Sequence, residues 1–320
     1  MIRGAWLAMA LLLAAVPASA QSASSGFAAV NDAVQAGESD KALGLLMSLP
    51  QNGEWHNLDC RIHLALEHWD TAVSECEKAV AADRQNSNDH MWLGRALGEK
   101  ASRASFMSAY GLGKRVRSEF EEAVQLNPKN AEALADLGEF YYSAPGIVGG
   151  GSDKAANVAA QLDQVDPARA HELRARIAEQ NKDYTTAERE FKQAQAVSQH
   201  PAYQWVTLAA FYGRRQRWND LDAAIQNAVK AAPHERHSGV ALYNGASVLI
   251  RANRNPELAV KMLTDYLSGN SMTEEGPAFV AHTRLARLKA RLGDTNGAQQ
   301  ERNAALALAH DYRPAQELKF

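Results

Sequence analysis

The chain has 320 residues, 46% hydrophobic and 22% charged, with a formal net charge of −3. That composition supplies enough apolar side chains for a sizeable core. It lacks the basic footprint of a nucleic-acid binder, and its abundance of Ala with few β-branched runs favours helix.

The first twenty residues stand apart. Arg3 supplies a positive start, Ala5 to Val16 a short apolar run, and Ala18-Ser19-Ala20 the small-x-small pattern that fits a signal peptidase. Residues 1–20 are therefore predicted to be a secretory signal cut before Gln21. The apolar run is shorter than the ~20 residues that span a bilayer, and no later segment is apolar enough to cross a membrane. The mature chain is expected to be exported, to the periplasm if the cell is bacterial. Residues 21–26 read as a short linker.

From residue 27 the chain repeats. A degenerate first unit runs from Phe27 to Pro50, and a second carries Cys60, Trp69, Ala72, Cys76 and Ala79. The third opens with Gly94 and Leu97 and closes at Pro128, and the fourth opens with Gly138 and Tyr141 and closes at Pro167. The next two are the most regular. Ala175, Ala178, Ala187, Phe191 and Ala194 recur 34 residues on as Ala209, Tyr212, Leu221, Ile225 and Ala228. A seventh uses Ala259, Leu263 and Tyr266, and an eighth Ala286, Ala298 and Ala305. Small residues let paired helices approach, large ones fill the gaps, and Pro stops the second helix. The polar tail, residues 311–320, is expected to cap the array or fray.

Trp205, Leu208, Ala209 and Tyr212, with Phe120, Ala123 and Pro128, follow the pattern W-x2-L-G-x2-Y, A-x3-F, P. On these residues the mature chain resembles the tetratricopeptide (TPR) superfamily over almost its whole length. The resemblance implies an all-α fold: a TPR-type α-solenoid, a right-handed superhelix of antiparallel helix pairs, about eight units over residues 27–310, some degenerate. His90 to Ala96, Phe120 to Val124 and Tyr141 to Gly150 are similar to a narrower group of exported bacterial TPR proteins. That likeness implies fold and compartment, and no mechanism.

Two insertions interrupt the units, residues 99–115 in the third and 143–152 in the fourth. Both fall at the turn between the two helices of adjacent units, so they should neighbour each other on one edge. Phe106, Tyr110, Tyr142 and Ile147 are the candidate surface there, either for binding or as a mutual brace. The glycines from Gly146 to Gly151 do not make a phosphate loop, since Ser and Asp precede the Lys and a helix precedes the loop. They are expected to allow a tight reversal after Pro145, with Ser152 capping the next helix.

Cys60 and Cys76 are the only cysteines. They occupy slots that face each other in an antiparallel pair, which in an oxidising compartment argues for a disulfide. Two buried free thiols, or a Cys2His2 zinc site with His56 and His63, are the alternatives. No nucleophile triad, no H-E-x-x-H and no isolated carboxylate pair is present, so the reading is non-catalytic, with no cofactor and no metal. The sequence His234 to His237 reads as a solvated turn.

The concave face of a TPR array is lined by the first helix of each unit. Arg61, Arg95, Arg176, Arg214, Arg251, Arg287 and Arg291 fall on that face, and Arg suits bidentate carboxylate contacts. The expected function is a periplasmic protein-interaction scaffold that takes an extended, acidic peptide or protein segment in the groove. The alternative is an accessory protein for a small molecule or lipid, with Phe106, Met107, Tyr110, Tyr141 and Tyr142 lining a pocket.

Overall fold

The computed structural model describes residues 18–235, 238–269 and 271–320. Most of the expected signal segment, and Arg236 and His237 of the histidine turn, lie outside the described residues. The described chain is all helical, with no strand.

Seventeen α-helices follow in chain order. Eight antiparallel pairs account for sixteen of them: α1 (Ala18–Ala36) with α2 (Ser39–Leu46), α3 (Gly53–Ala65) with α4 (Trp69–Ala82), α5 (Ser87–Ser102) with α6 (Phe106–Leu126), and α7 (Ala131–Ser143) with α8 (Ser152–Leu162). Then come α9 (Pro167–Gln180) with α10 (Tyr184–Val197), α11 (Pro201–Arg214) with α12 (Trp218–Ala231), α13 (Gly239–Ala252) with α14 (Pro256–Ser268), and α15 (Ala278–Arg291) with α16 (Thr295–Leu308). A short α17 (Arg313–Gln316) ends the chain.

Local chemistry sets these boundaries. The side chains of Asn52, Asn130, Asp166, Asp183 and Asp294 each accept a backbone N–H of the helix that follows, satisfying a donor the helix cannot. Pro167, Pro201 and Pro256 open helices where a missing N–H costs nothing. The turn inside a pair needs one left-handed residue after the first helix. Glu67, Lys182, Gln216 and Asn253 take φ of 64°, 62°, 56° and 51° there, closing the helix end as a C-terminal cap does.

Successive pairs stack through small residues against large ones. A Cβ on Gly94 would meet the Phe120 ring, so this slot admits no side chain. The buried core falls into runs: one from Cys60 to Leu173, one from Ala175 to Leu288. A third joins the two ends of the chain. Phe27, Val30, Leu46, Leu58 and Ile62 of the first units pack with Phe279, Ala305, Ala309 and Tyr312 of the last.

The array thus closes on itself. On the C-terminal side of this junction the rings of Phe279 and Tyr312 meet edge-on at 4.7 Å. Arg61 donates from Nε and Nη2 to Glu274 at 2.9 and 2.7 Å, and also from Nη2 to Asn31 Oδ1. The His310 backbone N–H donates to Asp40 at 2.9 Å, and Tyr312 Oη donates to Glu67 at 3.3 Å. Gly37, at φ 69°, passes so close to the Pro277–Ala278 backbone that any Cβ would collide with it.

Several expectations change here. Residues 21–26 belong to α1 and are not a linker. The tail does cap the array, by docking Tyr312 and Ala315 onto it, both buried. The insertion at 99–115 is no loop, for it lengthens α5 and α6, the latter to 21 residues. It does neighbour the second insertion: Val148, in a 3-10 turn at Gly146–Val148, packs against Gly113. Ser152 is the first residue of α8 and makes no cap, which falls to Gly151. No described helix is long and apolar enough to cross a membrane.

Candidate functional site

Closure turns the concave face into the wall of a central space. A cavity of about 830 Å³ lies between α3, α5 and α7 on one side and α13, the 273–280 segment and Tyr312 on the other. Of the seven arginines expected on the groove face, Arg61 and Arg95 line this cavity.

Its two arcs differ in charge. On the α5–α7 side, Arg95 donates to Asp136 at 2.6 Å and to Glu132 at 3.1 Å. Burial works against the Arg95 charge, but these carboxylates outweigh it and hold the guanidinium above its usual range. The Arg61 and Arg95 guanidinium groups both lie over the Trp92 ring, at 5.2 and 4.6 Å. Arg61 is spent on Glu274 in the seam. These two predicted groove arginines are structural partners.

On the other arc the balance reverses. Arg176 and Arg214 share one carboxylate, Glu179, at 3.8 and 2.7 Å. Arg251, Arg287 and Arg291 line a 280 Å³ cavity between α13 and α15, with Arg284 and Ser247. None of these four arginines has a carboxylate within ion-pair distance among the described residues. Arg284 donates to Ser247 Oγ and stacks over Tyr243 at 4.4 Å, while Arg287 donates to the Pro314 carbonyl at 3.3 Å. Burial, then the repulsion of Arg284, Arg214 and Arg176, pushes Arg251 below the usual guanidinium range. Uncompensated guanidinium groups this close favour any anion that enters.

Arg284 was missed from sequence. It sits three residues before Arg287, on the same helical face of α15. Also missed was a repeated polar pair. His56, His171 and His282 place Nδ1 within 2.7 Å of Glu75, Glu190 and Glu301, each 19 residues later, and His90 does so with Glu119. The common 19-residue spacing was the available signal. These pairs bridge the two helices of a unit. Burial raises Glu75, Glu190 and Glu301, but hydrogen bonds from Lys78 and His56, from His171 and Arg189, and from His282 and Lys289 prevail and hold the three below the usual carboxylate range.

Cys60 and Cys76 form a disulfide between α3 and α4, with their Cα atoms 5.2 Å apart. His56 is engaged by Glu75, so the Cys2His2 set is not assembled. In the insertion region, Phe106, Met107 and Ile147 are exposed, and Tyr110 is half-buried beneath Lys114 at 4.4 Å. Tyr142 is half-buried against the core run from Cys60 to Leu173, and burial, then the charge of Glu139, raises its hydroxyl above the usual tyrosine range. Tyr141 is buried and donates to Glu121 at 2.7 Å. Protein-family models gave no match to the chain, and no curated protein matched it significantly.

Proposed function

We propose that this chain is a non-catalytic, exported protein-interaction scaffold of TPR type, binding an acidic peptide or protein segment against its inner helical face. The observation that carries this reading is the unpaired arginine set Arg251, Arg284, Arg287 and Arg291 around its own cavity. Guanidinium groups form short, bidentate hydrogen bonds with carboxylates. A segment bearing two or three carboxylates satisfies them in a way no carboxylate among the described residues does. The 34-residue repetition and the eight stacked helix pairs support TPR kinship. The disulfide and the leader-like residues 1–20 support export.

Arg61 and Arg95 are committed to carboxylates, and Arg214 is half neutralised, so the discriminating variant is Arg251→Glu with Arg287→Glu. Its affinity for an acidic test peptide, read by fluorescence anisotropy, should fall at least about tenfold, given charge-assisted hydrogen bonds worth roughly 1.5–3 kcal/mol each. Wild-type binding should weaken with added salt. Crosslinking capture from periplasm should lose the same partners. Unchanged binding in the double variant refutes the arginine site.

A further inference from the structure

At the seam, two histidines meet ring nitrogen to ring nitrogen. His63 lies in the last turn of α3, and His68 in the turn before α4. Their Nδ1 atoms are 3.2 Å apart. Each ring turns its other nitrogen to a carboxylate. His63 Nε2 lies 3.6 Å from Asp59 Oδ1, and His68 Nε2 lies 3.7 Å from Asp311 Oδ2.

In the tautomers that put each ring's proton on Nε2, toward those carboxylates, a neutral imidazole has none left for Nδ1. Both Nδ1 atoms are then lone-pair donors, pointed at each other. That arrangement is repulsive unless a cation joins them. Two ligand nitrogens on a tetrahedral zinc ion, with bonds of 2.0–2.1 Å, lie about 3.3 Å apart. The observed separation fits that geometry. Carboxylates on the far ring nitrogens are the usual way such ligands are oriented. Asp311 Oδ1 is buried without a hydrogen-bond partner, a further acceptor left over beside the pair.

We propose that His63 and His68 bind a divalent ion of zinc(II) class through their Nδ1 atoms, with Asp59 and Asp311 orienting the rings and water completing the coordination. The histidines belong to the second unit and Asp311 to the C-terminal tail. The bound ion therefore latches the closed ring at the point where its ends meet. Asp40, His310 and Asp311 also converge, with ligand atoms within 4.8 Å of one another. Asp40 is already satisfied there by the His310 backbone N–H and Nδ1, both at 2.9 Å.

The test is a Zn²⁺ titration of EDTA-treated full-length protein, by calorimetry and thermal melting. Wild type should bind one ion per chain and melt higher with Zn²⁺, as any ligand of the folded state makes it do. His68→Gln should abolish both effects. Asp311→Asn, which removes only an orienting partner, should weaken binding on the order of tenfold. His310→Gln should leave it unchanged. His68 is a turn residue with its side chain 34% exposed, and circular dichroism will show that its variant is folded. No saturable binding means that the pair shares a proton instead, and overturns the proposal. So does wild-type affinity in His68→Gln, or loss of binding in His310→Gln.

Discussion

Replacing Glu274 by Ala removes the one carboxylate that Arg61 reaches in the seam. The pair is bidentate, and the two side chains are only 12% and 14% exposed. Breaking a buried ion pair from one side costs about 3–5 kcal/mol, because the remaining charge stays in a poorly solvated place. Arg61 keeps the Asn31 side-chain oxygen at 2.9 Å, which offsets part of that, so about 2–3 kcal/mol is expected. Urea unfolding should show the midpoint falling. The loss should be local to the seam, so fluorescence transfer between dyes on α2 and α16 should report wider or more variable separation before the central units melt. The Arg61→Met, Glu274→Met pair should recover much of the loss, since apolar replacements of both partners leave no buried charge. Two results refute the reasoning. One is a Glu274→Ala midpoint unchanged within error. The other is a double variant whose loss equals the sum of the singles, which means the two residues are not coupled.

Reduction of the disulfide, or Cys60→Ser with Cys76→Ser, should cost about 3 kcal/mol by the chain-entropy argument for a short loop, read as loss of hydrogen-exchange protection in α3 and α4 first. Asp89 is buried, and burial pushes its carboxyl up to about 6 despite the hydrogen bond donated by Asn57. A raised carboxylate pKa favours folding at low pH and loses that benefit as pH rises through about 6. Asp89→Asn should therefore stabilise the protein at pH 7.5 by about 1–2 kcal/mol and make no difference below pH 4; urea midpoints at both pH values decide it. Glu188 is the opposite case. Burial raises it, but hydrogen bonds from Arg217, Lys192 and Tyr212 prevail and hold it down at about 2. Its contribution is present above the ordinary glutamate range and lost as pH falls toward 2. Glu188→Gln should flatten the acid limb of a stability–pH curve, and an unaltered limb counts against the Arg217–Glu188 contact.

The helices were legible because their information is local. Period-34 spacing of Ala and aromatic residues places two packing faces on each unit, and Asn, Asp and Pro mark the helix starts with their own hydrogen-bonding limits. Facing slots in one unit put Cys60 opposite Cys76, and the structure joins them. Arg284 failed for a different reason. Its role depends on Arg251 of the neighbouring unit, and sequence spacing within one helix does not show a partner across two.

By itself, then, the sequence determined the helical pairs and their number. Each of those rests on contacts between residues a few tens of positions apart. Tertiary structure alone decided that the ends meet. Small rotations between units accumulate over eight pairs, and no local pattern records their sum. Closure matches Phe279 and Tyr312 to Phe27 and Ile62, and spends Arg61 on Glu274, more than 200 residues away. It leaves Arg251, Arg284, Arg287 and Arg291 as the inner arc without counter-charge. The physical reason is that an ion pair is settled by distance in space, and in this chain the deciding distances are set by the whole turn of the array.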